Sequence, residues 1–289
     1  MAVTEHPLVG LGYTEPSAPR EFTRLGTDGA SSSSADVAEE VPIALVFNGR
    51  PHVVVMGSPS DLEDLATGFT ITEGIVHGID EVERIEVVRA SHGIELQIQI
   101  PSTDAERLAE RTRGLVARTG CGLCGVETIN EAMRIPTPVG DSLTIDRDAI
   151  ALAGMDLSRQ QQLNNATSTV HAAGWAQRDG SIALVREDVG RHNALDKLLG
   201  AAMRRGFSGR DGFVIVTSRA SYEMVQKVAA CGVELIAAIS RPTGLAIRFA
   251  DAANVTLVGL VRGSTANVYA GIQRIGVDGS KDRRIDGSA

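Results

Sequence analysis

Apolar positions fall into two regimes along the chain. Between Val41 and Ile100 they come in short alternating runs. Ile43 to Phe47 and His52 to Met56 read as two strands. They join at Asn48-Gly49, a dipeptide that accepts the positive φ of a tight hairpin turn. Val82 to Val88 and Ile94 to Ile100 repeat the pattern around Ser91-His92-Gly93. Between the two pairs, Leu62, Leu65, Ala66 and Phe69 recur at helix spacing. Ser60 reads as the N-cap of that helix, and Asp61, Glu63 and Asp64 suit its positive end. Leu108 to Val116 reads as a helix or a short connector, and Val126 to Met133 as a helix.

The second regime begins with a helix over Asp148 to Gln162. Short, nearly unbroken apolar runs then alternate with helix-period segments. Ile182 to Val185, Phe213 to Thr217, Val233 to Ile239 and Thr256 to Val261 read as strands. Asn193 to Arg205, Ser221 to Ala230 and Leu245 to Ala253 read as helices. This order predicts an α/β fold, a mixed or mostly parallel sheet with helices on both faces, preceded by a smaller β-rich part. The parts are an unstructured tail over 1–40, the β-rich part over 41–117, a cysteine loop and its helix over 118–140, the α/β part over 141–272, and a second tail over 273–289. The first tail rests on Pro7, Pro16, Pro19 and the run Ser31 to Ser34, with no sustained apolar period.

Composition narrows the function classes. Lys and Arg total 28 against 36 Asp and Glu, a net charge of -8 over 289 residues. That balance argues against general nucleic-acid binding, though a local Arg cluster can hide within an acidic total. No apolar run reaches the length of a membrane span, and the first ten residues lack a secretory pattern. Three cysteines cannot build a secreted disulfide scaffold, so a cytoplasmic location is expected.

In open α/β sheets, ligands bind beyond the carboxyl ends of the strands. Those ends lead here into Glu187-Asp188, Ser218-Arg219-Ala220-Ser221, Ser240-Arg241-Pro242-Thr243 and Arg262-Gly263-Ser264-Thr265. All are polar and three carry an arginine. Together with adjacent helix N-termini they can form an anion site for a pyrophosphate or nucleotide. They read equally well as solvated loops with capping serines.

Cys121 and Cys124 form a Cys-x-x-Cys pair among Gly120, Gly122 and Gly125. The spacing admits a dithiol redox couple, half of a zinc site, or a nucleophilic thiolate that carries sulfur. A zinc deaminase needs a His-x-Glu and a proline before the first cysteine; Gly120 occupies that place. Arg118 nearby stabilises thiolate over thiol, and the glycines leave room for another protein to approach. Cys231, far away, reads as a small core residue, and Trp175 as packing.

Several blocks in one order resemble the FdhD family of sulfur carrier proteins, from about residue 40 to 270. They are Thr119 to Gly125, Glu187 to Lys197, Arg219 to Lys227 and Pro242 to Ala246. Shorter matches lie at Val41-Pro42, Asn48-Gly49, Asp64-Leu65-Ala66, Gly68-Phe69 and Glu73-Gly74-Ile75. The resemblance implies a homodimeric sulfurtransferase of the carrier type with a cytidine-deaminase-like fold. Such a protein accepts persulfide sulfur from a cysteine desulfurase. It passes the sulfur to the bis-molybdopterin guanine dinucleotide molybdenum cofactor, a client rather than a resident group, for formate dehydrogenase. Cys121 would form the persulfide and Cys124 would be auxiliary. The cofactor would lie on Leu260, Val261, Arg262, Gly263, Ser264 and Thr265, joined by Arg219, Ser221, His192 and Arg191. No metal of its own is implied. A cofactor-binding chaperone and a deaminase-like zinc hydrolase are the alternatives.

The chain departs from the family pattern at three points. The usual Thr-Gly-Gly is Thr167-Ser168-Thr169, the usual Ser-Gly-Arg is Thr217-Ser218-Arg219, and the usual Ser-Ala-Pro is Ser240-Arg241-Pro242. All fall near the expected ligand edge. Glu187 and Asp188 are expected to orient Arg191 or cap the helix that follows. Asp196 and Lys197 read as solvated.

Overall fold

The computed structural model describes residues 15–90, 92–118 and 137–276, with the backbone alone over 111–118. The cysteine loop, with Cys121, Cys124 and the helix expected over Val126 to Met133, lies outside the described residues.

A hairpin of β1 (Ser17–Gly26) and β2 (Gly29–Ala38) precedes everything else. This corrects the tail expected over 1–40 for residues 17–38; residues 1–14 lie outside the described residues. Ten residue pairs join the strands from Ser17↔Ala38 to Gly26↔Gly29, around a two-residue turn at Thr27-Asp28. The serine run satisfies its backbone in that ladder while its side chains stay mostly in water, so no apolar period marks it.

The small unit follows. β3 (Val41–Phe47) and β4 (Arg50–Gly57) pair antiparallel across Asn48-Gly49, whose φ values of 47° and 76° fit the hairpin turn read from sequence. Helix α1 (Leu62–Thr72) comes next, then β5 (Arg84–Ala90) and β6 (Gly93–Gln99), and helix α2 (Ser102–Arg118). The sheet order is β4-β3-β6-β5, with β3 and β6 parallel. Ile43, Leu45, Ile94, Leu96 and Ile98 alternate onto one face and bury against Leu62, Leu65 and Ala66 of α1. Each such side chain contributes about 1.5–3 kcal/mol by leaving water. Ser60 is not the cap of α1. Asp61 holds that position in a left-handed conformation and makes no capping bond; its carboxylate instead faces Arg186 at 3.2 Å.

The large unit begins with β7 (Ile145–Asp146), α3 (Arg147–Gln160) and α4 (Gln162–Thr167). Asp146 caps α3 by accepting from the Asp148 N–H at 2.8 Å. Then come β8 (His171–Gln177), β9 (Ile182–Asp188), α5 (Arg191–Arg204), β10 (Gly212–Val216), α6 (Tyr222–Ala230), β11 (Leu235–Ala238), α7 (Gly244–Ala252), β12 (Thr256–Arg262), β13 (Thr265–Ala270) and β14 (Ile275–Gly276). β14 pairs with β7. Six strands form the main sheet in the order β13-β12-β11-β10-β8-β9. The central strands β10, β11 and β12 are parallel; β8 and β13 run against them. Trp175, Val214, Val216, Ile236 and Leu257 face α5, α6 and α7, whereas Phe213, Ile215, Leu235, Ala237 and Val258 face α3. Both faces are therefore covered, as the strand–helix alternation predicts. Trp175 packs against Phe207 with ring centroids 5.6 Å apart.

The two units meet where α1 crosses α5. Buried charge joins them there too: Asp64 of α1 accepts from Arg186 of β9 at 2.7 Å and from Arg204 of α5 at 2.7 Å.

Candidate functional site

β9, β10, β11 and β12 all run the same way, so their carboxyl ends share one edge of the sheet. Backbone hydrogen bonds stitch that edge together. Thr217 N–H donates to Ala172 O at 3.0 Å, Ile239 N–H to Val216 O at 3.0 Å, Leu260 N–H to Ser240 O at 3.1 Å and Thr243 N–H to Ala220 O at 3.1 Å. Helices α5, α6 and α7 start from the same edge, with N-caps Gly190, Ser221 and Thr243. Three helix N-termini thus share one edge, an arrangement that attracts anions. Arg191, His192, Arg219, Ser221, Arg241 and the Leu260 to Thr265 stretch all lie on these elements or the loops between them.

Two polar atoms at this edge stand out among the described residues. Nε2 of His192 and Oγ of Ser221 are buried without a hydrogen-bond partner. His192 Nε2 lies 2.9 Å from Glu223 Oε2 as a charge contact, with no hydrogen bond between them. Ser221 sits at the N-cap of α6 and makes no capping bond, whereas Thr243 caps α7 by accepting from Ala246 N–H at 3.2 Å. Buried polar groups are nearly always paired in folded proteins, so these two, like Arg274 Nε at the opposite edge, call for an explanation. Burial holds the His192 imidazole below its ordinary range; the Glu223 carboxylate opposes that and the Arg191 cation reinforces it. Burial likewise lowers His171, at the start of β8, again with Arg191 adding and Asp188 opposing. Arg191 therefore acts electrostatically on both imidazoles.

The Leu260 to Thr265 stretch forms the end of β12 and the turn into β13. The ladder shifts register between Gly259 and Arg262, and Arg262 pairs with Thr265 across Gly263-Ser264. Thr265 Oγ1 donates to Arg262 O at 3.0 Å. Leu260 has a φ of 53°, a left-handed conformation that bulky side chains avoid. Strain of this kind costs on the order of 1–3 kcal/mol and concentrates at functional sites. Nothing in the sequence signalled it.

Behind the edge lies a buried polar junction. Asp188 ends β9 and accepts from Lys197 Nζ at 2.6 Å, from Ser58 N–H at 2.9 Å and from Gly190 N–H at 2.7 Å. Lys197 also donates to Ser58 O at 3.0 Å. One residue earlier on the same helix, Asp196 accepts from Thr72 Oγ1 at 2.7 Å and Lys227 Nζ at 3.0 Å; Lys227 also reaches Glu73 at 2.6 Å. Asp196 and Lys197 are therefore core residues, not solvated ones. Their partners come from α1, α6 and the segment after β4, which helix periodicity cannot reveal. Glu187 caps neither Arg191 nor α5; its carboxylate accepts from Leu163 and Asn164 N–H at the start of α4, at 2.8 and 2.9 Å. Cys231 packs between the two cores, and burial pushes its thiol up to about 12.

The residues that follow the cysteine loop are tied to the opposite ends of the strands. Glu234, just before β11, accepts from Ser142 N–H, Ser142 Oγ and Leu143 N–H at 2.9, 2.7 and 2.8 Å. Arg274 donates to Gly140 O at 2.5 Å, and Asn254 to Val139 O at 3.0 Å. The loop thus rejoins the described fold at the edge away from the helix N-termini. Among the described residues no cluster of His, Cys, Asp and Glu has the form of a metal site, and no helix is long and apolar enough to cross a membrane.

Comparisons with known proteins agree with this architecture. A crystal structure of a candidate formate dehydrogenase accessory protein from Desulfotalea psychrophila superposes with a TM-score of 0.73, covering 90% of this chain and 100% of that one at 24% identity. That likeness concerns the fold. The sulfur carrier protein FdhD of Cupriavidus necator is 49% identical over 272 residues, 93% of this chain and 94% of its own length. Sulfur carrier proteins FdhD of Bordetella bronchiseptica and Xanthomonas euvesicatoria are 48% and 47% identical, covering 87% and 90% of this chain and 91% and 93% of their own. The model of the FdhD/NarQ family matches residues 38–276. With a family match over most of its length and relatives this close, the chain belongs to the FdhD/NarQ family.

Proposed function

We propose that this chain is a sulfur carrier that serves the maturation of formate dehydrogenase. Its relatives at nearly half identity over most of their length are sulfur carrier proteins. Cys121 is the carrying thiol. Its thiolate attacks the outer sulfur of a cysteine desulfurase persulfide; the new S–S bond forms as the old one breaks, and the desulfurase thiolate leaves. Sulfur moves without any external oxidant. Cys124 assists. The client that receives the sulfur is the bis-molybdopterin guanine dinucleotide cofactor.

The observation that carries the binding half of this reading is the pair of orphaned polar atoms, on His192 and Ser221, among three converging helix N-termini. An edge rich in N–H donors and flanked by Arg191, Arg219 and Arg262 suits the phosphates of a guanine dinucleotide. Leu260 to Thr265 forms its far rim. The protein works in the cytoplasm, as a homodimer.

Intact mass after incubation with a desulfurase and cysteine tests the carrier step. The full chain is expected to gain one sulfur atom. Cys121→Ala is expected to lose that gain while keeping its affinity for guanosine diphosphate. Undiminished sulfur transfer by Cys121→Ala overturns the assignment and leaves a cofactor-binding chaperone.

A further inference from the structure

Asp188 and Lys197 pair at 2.6 Å with both side chains fully enclosed. Burying two charges costs several kcal/mol per ion, and their attraction seldom returns more than that. Such a pair is a poor device for stability, so its value lies in what it fixes. Here it joins segments far apart in the chain. Asp188 Oδ1 accepts from Gly190 N–H and from Asn193 Nδ2, at 2.7 and 3.1 Å. Its Oδ2 accepts from Ser58 N–H and Lys197. Lys197 passes on to Ser58 O, Asn193 Nδ2 to Met56 O at 2.7 Å, and Val189 N–H donates to Ser58 Oγ at 3.2 Å. The junction has no slack: a Cβ at Gly57 or at Gly190 would press on Asn193 Nδ2 at 3.0 Å. Arg191 and His192 follow immediately after Gly190.

We propose that the Asp188–Lys197 pair and Asn193 are positioning residues. They lock the β9–α5 turn against Met56 to Ser58 and so hold Arg191 and His192 where the client's phosphates bind. The small unit thus acts on this edge through the end of β4. This inference rests on the nucleotide-edge reading above.

The test is calorimetric titration of the full chain with guanosine diphosphate, beside thermal unfolding. The double substitution Asp188→Asn with Lys197→Met removes both charges and keeps the volume. It turns an amide NH2 toward N–H groups that Asp188 now accepts from and leaves Ser58 O without Lys197, so the unfolding midpoint is expected to fall; binding is expected to weaken roughly tenfold, the loss of one charge-assisted hydrogen bond to the anion. Asn193→Ala, a milder change, is expected to weaken binding in the same direction should the double variant not fold. Glu234→Gln, at the opposite edge, is expected to lower the midpoint and leave affinity within about twofold, as distant sites act independently. Unchanged affinity in the folded junction variants overturns the inference alone, whether or not their midpoints fall. Failure of the unsubstituted chain to bind guanosine diphosphate overturns the nucleotide-edge reading, and the inference with it.

Discussion

Gly68 of α1 and Gly200 of α5 meet backbone to backbone where the two helices cross. A Cβ at Gly68 would overlap the Asp196 carbonyl, and a Cβ at Gly200 would overlap the Asp64 carbonyl. Both obstacles are helix backbone, which cannot step aside as a side-chain tip can. The close crossing also brings Asp64 within reach of Arg186 and Arg204, and Thr72 within reach of Asp196. Gly200→Ala is therefore expected to destabilise the protein by about 3 kcal/mol or more, the upper range for overpacking, despite alanine's better helix propensity. Urea unfolding measures it; a neutral or stabilising effect would contradict the crossing.

Ser168 ends α4 in the left-handed region, at φ 55° and ψ 27°, and its side chain is exposed. The FdhD pattern carries glycine there, which adopts that conformation without strain. Ser168→Gly is expected to stabilise the fold by about 0.5–1 kcal/mol, the gain in fit exceeding the entropy glycine adds to the unfolded chain. The unfolding midpoint should rise by roughly 1–3 °C. Guanosine diphosphate affinity should stay unchanged unless the serine hydroxyl itself meets the ligand, a second result from the same variant.

What could be read in advance follows from how each element is held. β10, β11 and β12 are buried on both faces, so their apolar runs announce them. β8 is equally buried, but Ala172, Ala173, Gly174 and Ala176 carry little strand propensity. β13 is an exposed edge strand with Thr265, Ala266 and Asn267, and it too went unread. The shared sheet edge was legible because the carboxyl ends of parallel strands follow from topology alone. The junction behind it was not, since a helical Asp-Lys pair looks solvated until Thr72, 124 residues before Asp196, and Ser58, 139 before Lys197, are known to cover it. Leu260 has no local signal at all: its conformation is imposed by Ser240 O and the shifted ladder with β13.

Glu234 and Arg274 clamp the return of the cysteine loop. Their side chains are 3% and 1% exposed and their nearest charged atoms lie 3.3 Å apart. Three donors from Ser142 and Leu143 end on the Glu234 carboxylate, and they hold its pKa below the ordinary range despite the opposing effect of burial. Glu234→Ala would strand those donors and leave Arg274 with the exposed Asp141 as its remaining carboxylate. The expected cost is about 3 kcal/mol. Hydrogen exchange should show the Ser142 and Leu143 amides losing protection first; uniform loss across the fold would argue against a local clamp.

His192 and His171 give this edge of the sheet a pH dependence of defined sign. Burial and the Arg191 cation make both imidazoles less basic in the folded protein than the ordinary value of 6.5. Between the folded value and 6.5 the unfolded chain binds more protons, so unfolding free energy rises with pH there. Their contribution is complete above the ordinary value and is lost as pH falls through the folded one. The free protein is expected to weaken on acidification from about pH 7 to pH 5, where histidine titrates, and His192→Gln is expected to flatten that slope. A bound phosphate acts the other way. Its charge favours imidazolium, so binding draws protons onto the protein, and affinity for guanosine diphosphate strengthens over the interval in which the free fold weakens. Calorimetry in two buffers of different ionisation heat counts those protons. Uptake in the unsubstituted chain that disappears in His192→Gln puts His192 against the phosphates. Equal uptake in both, or none in either, removes it from the site and leaves the arginines to hold the anion.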